Sequence, residues 1–374
     1  MKIVKPIWVA LGALWMMGCS QEEGLPSMED ANEGYIYFNS EIDSRANLVT
    51  DMAEKPFSVT AFNYTGDWNT VKVKAAPNVF HDQLIRWEEN KHTYDTDATT
   101  DENQLKKWEG GKKYTFFAHY PHVSDNSNVS ISGSTTEGVP YITYTLQPNN
   151  MVDVMTASLF DTDNTATNAV GLTFKHRLVA MDIQARNLID PVIIDGMETP
   201  VYIKLTALTM EFTNQKYNLA KIWLDEEMGM EISAAAGWNT AQSYTMIPAG
   251  EVILKPMGDA SDEDASVNVS SDKGTTLIFL PQEGTNADDC LQGEVSFTYK
   301  YVKQDGTEFN DNELKDEQGN NIEPQTGPIS FTTGKEMVAG RKYAFQMNFS
   351  RTMVTIGIVE QGEWTDKDIE IDFE

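Results

Sequence analysis

The chain has 374 residues and a formal charge of −29, from 28 Lys and Arg against 57 Asp and Glu. A surface this acidic repels phosphate backbones and anionic lipid headgroups, which removes nucleic acid from its expected partners. Two cysteines in such a length give no disulfide framework, so packing has to hold the fold.

At the N-terminus, Lys2 and Lys5 precede an apolar run from Pro6 to Met17, the length of a signal-peptide core and too short to span a bilayer. Leu14-Trp15-Met16-Met17-Gly18-Cys19 reads as a lipobox, with small Gly18 before the cysteine, although Met16 stands where the strict motif prefers Leu. Residues 1–18 are therefore expected to be a lipoprotein signal peptide and Cys19 the lipidated first residue. An ordinary secretory signal with an incidental cysteine is the alternative. Removing the signal takes away Lys2 and Lys5, leaving 26 − 57 = −31 for the mature chain. Cys290 then has no partner and is expected to be a small buried hydrophobe. Beyond the signal no run of eighteen apolar residues occurs, so membrane attachment would rest on lipid. Residues 19–34, polar and acidic with Pro26, have the composition of a tether.

Order is expected to begin at Tyr35. Tyr35-Ile36-Tyr37-Phe38-Asn39-Ser40-Glu41-Ile42 is rich in β-branched and aromatic residues and puts Ile36, Phe38 and Ile42 on one face, which predicts a strand. A polar stretch follows, with Arg45 beside Ala46. Phe57–Phe62, Val71–Val73 and Val79–Phe80 read as short strands, residues 92–102 as a polar loop, and Lys113–Tyr120, Tyr141–Leu146 and Asp153–Ala157 as further strands. The small polar run 161–168 predicts a boundary, giving an N-terminal domain over 35–165 and a C-terminal domain over 166–374.

In the second half, Leu172 to Ile183 reads as one long strand, bulged where the inward face switches between Leu178 and Val179. Tyr202–Phe212, Tyr217–Leu224, Ser243–Ile247, Thr275–Leu280 and Glu294–Val302 continue the alternation, with turns at Asp225–Gly229 and Gly258–Asp264. Gly111-Lys112-Lys113-Tyr114-Thr115-Phe116 is echoed by Gly340-Arg341-Lys342-Tyr343-Ala344-Phe345, as in a duplicated β-domain. Met353–Val359 and Ile369–Phe373 are terminal strand candidates. Fifteen or more short strands and no amphipathic helix predict an all-β chain of sandwich type.

No nucleotide loop, zinc-protease helix or nucleophile elbow occurs, so no catalytic residue is assigned and the chain is not expected to be an enzyme. His119 and His122 could join His81 or His92 around a metal, but solvated or structural histidines are the better reading, and no metal or cofactor is assigned. His176 reads as a core residue. Asp95-Thr96-Asp97 and Asp161-Thr162-Asp163-Asn164 lack the glycine and distal glutamate of a calcium loop and read as solvated turns. Trp68, Trp87 and Trp108 could stack on sugars, which keeps a lipid-anchored, carbohydrate-binding surface protein as the second reading.

The lipobox, the first strand followed by Arg45, Lys113–Pro121, Asp153–Ala157, Leu172–Ala180 and Trp364 followed by Ile371 and Phe373, in this order, resemble the fimbrillin family, lipoprotein-derived subunits of type V pili. The resemblance implies two transthyretin-like β-sandwich domains in tandem and no cofactor. It implies a precursor anchored in the outer membrane through Cys19, and a maturation protease cutting between Arg45 and Ala46. That cut frees a first strand containing Tyr35, Ile36, Tyr37, Phe38 and Ile42. It also implies polymerisation with other copies or related pilus subunits, through a donor strand drawn from Met353, Val354, Ile356, Ile358, Ile369, Ile371 and Phe373. The mature chain would then lie in an extracellular fimbrium, facing a host or bacterial surface ligand. Physically this is strand addition: a backbone ladder supplies generic affinity and alternate side chains set the register.

Overall fold

The structure is a computed structural model, and it describes residues 36–42, 52, 55–88, 91–94, 106–163, 169–248, 250–256, 266–270, 274–282, 290–310, 313–315, 319–325 and 327–363. The lipidation, cleavage and last donor positions (Cys19, Tyr35, Arg45, Ala46, Ile369, Ile371 and Phe373) lie outside the described residues.

The first half contains β1 (Phe38–Ile42), β2 (Phe57–Tyr64), the one-turn helix α1 (Trp68–Val71), β3 (Phe80–Glu88), β4 (Lys91–Tyr94), β5 (Lys113–Tyr120), β6 (Val129–Ile131), β7 (Tyr141–Thr145), β8 (Met155–Thr162) and β9 (Val170–His176). The second contains β10 (Val179–Asn187), β11 (Val192–Ile194), β12 (Met197–Thr199), β13 (Tyr202–Phe212), β14 (Leu219–Trp223), β15 (Met230–Ser233), β16 (Gln242–Thr245), β17 (Val252–Leu254), β18 (Ser266–Asn268), β19 (Leu277–Phe279), β20 (Gln292–Val302), β21 (Ile329–Thr332), β22 (Arg341–Phe349) and β23 (Val354–Glu363). The chain is all-β.

Seven strands of the first half close into a barrel in the order β1-β4-β3-β2-β5-β8-β9, with β9 returning to β1 in parallel. Its interior is filled by Phe38, Phe57, Val59, Phe80, Phe116 and Phe174 with smaller neighbours. The opposite faces of β2 and β5 are buried too, because Phe62 and Phe117 pack with Trp68, Ile142 and Tyr144 in a second core that continues into the other half. These two strands are accordingly buried along nearly their whole length instead of alternating.

In the second half, β18-β10-β22-β23 forms one sheet, with β19 also on β10, and β16-β13-β20-β21 forms another, with β17 also on β13. A four-stranded sheet, β15-β14-β7-β6, draws on both halves. One expectation changes here: the run Leu172–Ile183 is two strands in different sheets, β9 and β10, broken at Arg177 and Leu178. The break is held from a distance: the Arg177 guanidinium donates to Thr156 Oγ1 at 2.9 Å and to the Gly229 carbonyl at 3.1 Å.

Three local readings change as well. Val71 ends α1 and Val73 lies in the turn after it, so no strand forms there. Part of the polar stretch 92–102 is strand β4, with His92 and Tyr94 buried. Asp161 is not a solvated turn residue; its carboxylate accepts from the Trp68 amide at 2.9 Å and the Tyr64 hydroxyl at 3.1 Å, fastening α1 to β8.

The sequence echo has a structural counterpart. Tyr114 accepts a hydrogen bond from the Glu109 amide at 2.7 Å, and Tyr343 accepts one from the Val338 amide at 3.0 Å. In both copies the donor lies five residues upstream, and Gly111 and Gly340 turn the chain between them at φ +74° and +71°.

Candidate assembly site

The resemblance singles out two strands, and the structure places them in different settings. β1 is built into the barrel wall. Its parallel ladder with β9 runs from Phe38↔Val170 to Ile42↔Phe174, while on its other side, among the described residues, it meets β4 at Phe38↔His92. Just upstream, the Ile36 amide donates to the Lys106 carbonyl at 2.8 Å and the Tyr37 carbonyl accepts from Val170 at 2.7 Å.

Ile36, Phe38 and Ser40 point inward, as period-two alternation requires, and Asn39 points out. Phe38 is 2 % exposed, and its ring meets those of Phe80, Tyr94 and Phe116 at centroid distances of 5.9, 5.9 and 5.8 Å. Burying Phe38 and Ile36 contributes about 1.5–3 kcal/mol each. The Tyr94 hydroxyl donates to the Ile36 carbonyl. Burial, with the Tyr37 phenol nearby, pushes the Tyr94 hydroxyl well above its usual pKa, so it stays a donor at any physiological pH. Ser40 Oγ donates to the Met52 carbonyl at 3.1 Å and lies 3.3 Å from His92 Nε2. Taking β1 away would therefore leave an aromatic slot, the β9 edge and a tyrosine hydroxyl without its acceptor.

Among the described residues, β23 has a strand ladder on one edge only. It is the last strand of its sheet and pairs with β22 from Phe349↔Val354 to Arg341↔Glu363, with a bulge at Lys342/Tyr343. Val354 is buried and its amide donates to Gln325 Oε1 at 2.7 Å; Ile356 and Ile358 are half-buried, and Met353 is exposed in the turn. The donor candidates Val354, Ile356 and Ile358 are thus engaged in the chain's own sheet.

On the face of β2 and β5 opposite to the slot, a polar cluster ties β2, β3 and β5 together. Asp82 accepts from Ser58 and lies 3.2 Å from His119 Nε2, and the His122 ring reaches its backbone carbonyl at 3.2 Å. Burial pushes the Asp82 carboxyl up, but the bonds from His119 and Ser58 and the charge of the two histidines outweigh it and hold its pKa below the usual value. His81 turns away to the Ser132 carbonyl at 2.8 Å and His176 to Asp153 at 3.0 Å, so the histidines do not converge on one point. Trp68 is 2 % exposed and cannot stack on a sugar.

Sequence reasoning found Ile36 and Phe38 but not the cage around them. Phe80, Tyr94 and Phe116 belong to three strands, and only the aromatic density of each segment hinted at their role.

A family model described as fimbrillin-like matches residues 45–364. The fimbrium subunit Fim1C of Phocaeicola vulgatus is 24 % identical over 302 residues, covering 75 % of each chain. The crystal structure of a fimbrial protein from Bacteroides vulgatus superposes with a TM-score of 0.56 at 20 % identity, over 88 % of this chain and 99 % of that one. The all-β barrel with its paired sheets and the match along most of its length place this chain in the fimbrillin-like family.

Proposed function

We propose that the chain is a subunit of a surface fimbrium, exported as a lipoprotein precursor through Cys19 and matured by cleavage between Arg45 and Ala46. It polymerises when a C-terminal strand of another subunit takes the place of β1. The observation that carries the reading is the seat of β1: a strand near the N-terminus, ending three residues before Arg45, fills an aromatic slot whose loss would expose a hydrophobic edge. The precursor then keeps its own slot closed until a donor is at hand. Because residues 354–363 are paired with β22, the donor is assigned to the segment beyond Glu363, where Ile369, Ile371 and Phe373 alternate. Before cleavage the protein lies on the outer membrane through its lipid; afterwards it lies in the fimbrium. The carbohydrate-binding alternative loses Trp68, which is buried, from its stacking surface.

Treating the purified chain with an arginine-specific protease tests this. The product should begin at Ala46 and form a ladder of multimers that survives mild denaturant, while Arg45→Ala should stay monomeric. A chain ending at Glu363 should be cut and remain monomeric. Multimers from that shortened chain would overturn the assignment of the donor.

A further inference from the structure

The polar cluster around Asp82 sits on a break in the β2–β3 ladder. Between Val59↔Gln83 and Ala61↔Phe80 the register slips by one, so His81 and Asp82 together bulge against Thr60. Asp82 stands there at φ +51°, in the left-handed region that residues other than glycine seldom adopt, and its amide donates to Thr60 Oγ1 at 3.2 Å. The bulge decides what fills the barrel. Phe80 and Ile85 are five residues apart, and strict alternation would put them on opposite faces; the extra residue lets both enter the interior. Phe80 thereby reaches the slot, its ring 5.9 Å from that of Phe38 and 5.1 Å from that of Tyr94.

The hydrogen bonds of the cluster fix its proton count. His119 is buried, and its Nδ1 faces the Pro121 carbonyl at 2.9 Å, a group that only accepts, so Nδ1 carries hydrogen. Its Nε2 faces Asp82 Oδ1 at 3.2 Å, an oxygen that already accepts from Ser58. A bond there needs a second proton. The pair therefore holds one proton more than a neutral imidazole beside a carboxylate, and without it two lone pairs face each other away from water. His122 needs no such proton: Nδ1 accepts from the Ser124 amide at 3.0 Å and Nε2 donates to the Asp82 carbonyl at 3.2 Å, which an uncharged ring supplies.

The other charged and titratable groups on the surrounding elements have their own partners. His81, beside Asp82 in the bulge, turns to the Ser132 carbonyl, and Asp125 in the loop after β5 accepts from Ser124 Oγ at 3.1 Å. On β8, Thr156 stands opposite His119 and accepts from Arg177, while Asp153 ahead of it is taken by His176. We propose that the His119–Asp82 pair is a proton-operated latch on the β1 slot: with the proton in place the bulge holds Phe80 against Phe38, and when alkali removes it the bulge gives way and β1 loosens. That a loosened β1 yields its place to a donor rests on the function proposed above; the latch itself does not require strand exchange.

Hydrogen exchange of the full chain, read by mass spectrometry from about pH 5.5 to about pH 9.5 and corrected for the intrinsic pH dependence of exchange, tests it. Protection of residues 36–42 should fall by up to about tenfold per pH unit once the proton leaves, while the β13–β20 ladder stays unchanged. His119→Gln has no proton to lose, and in Asp82→Asn the new amide can donate to the bare Nε2, so each should flatten the profile of residues 36–42. Should one variant not fold, the other carries the same comparison. A flat wild-type profile, a loss at β13–β20 in step with β1, or a folded variant that keeps the wild-type slope would overturn the latch. Failure of Arg45 cleavage to produce multimers, with the profile as expected, would instead sink strand exchange and leave the latch standing.

Discussion

β1 (FNSEI) and β23 (VTIGIVEQGE) are the two strands that the resemblance singles out, and they are held in different ways. β23 has the longer ladder, along the whole of β22, but among the described residues no ladder on its other edge, and mostly half-buried side chains. β1 has a shorter ladder, and its side chains complete an interior. Backbone hydrogen bonds contribute little net stability when water can replace them, whereas a slot lined by three aromatic rings has no comparable substitute. The strand with fewer pairs is therefore the one whose loss the fold feels more, and the one whose place another strand gains most by taking.

Side-chain truncation puts this contrast to the test. Phe38→Ala should lower the free energy of unfolding by about 3–5 kcal/mol in denaturant titrations, by loss of the ring and the cavity left between Phe80, Tyr94 and Phe116. Ile356→Ala, half-buried on β23, should cost only about 1 kcal/mol. Similar losses at the two sites would erase the distinction. Tyr94→Phe sharpens it on the polar side: it keeps the ring and removes the bond to the Ile36 carbonyl, and should cost about 1 kcal/mol by the same titration.

A smaller effect is expected from acid. The Asp82 carboxyl has its pKa lowered in the folded state, so its bonds to Ser58 and His119 stabilise the barrel above the unfolded value, near pH 4. That stability is lost as the pH falls through the lower folded value. Asp82→Asn should lower stability at neutral pH and give a shallower fall below about pH 4 in thermal melts taken across pH. A melting curve that drops as steeply as the wild type would mean that other carboxylates carry the acid response.

Strands whose pattern is set by one sheet face were legible. Tyr202–Phe212 coincides with β13 because its inward residues alternate on either side of one bulge between Leu205 and Ala207. The aromatic echo at Tyr114 and Tyr343 was legible too, since the tyrosine and the glycine turn that place it are adjacent in sequence. What escaped depends on partners far along the chain. Nothing local in Leu172–Ile183 shows that Arg177 is tied to residues near 229, and that tie splits the run into two sheets. β4 hides in a polar stretch because His92 and Tyr94 are inward only relative to Phe57 and Phe38, their ring neighbours at 5.1 and 5.9 Å. The slot itself is assembled from residues 38, 80, 94 and 116, a spacing no period encodes.

The parallel pairing of β1 with β9 has a mechanical consequence. A pull along a strand lying in that place slides it past β9, so the ladder's bonds resist together instead of opening one after another. The load on β9 then passes through two residues into β10, which lies parallel to β22 over eight paired positions from Ala180↔Lys342 to Asn187↔Phe349. From β22 it reaches β23 and the chain's final segment. The two parallel ladders, β1 on β9 and β10 on β22, are thus both stressed in shear, with Arg177 bracing the place where the line of force changes sheet.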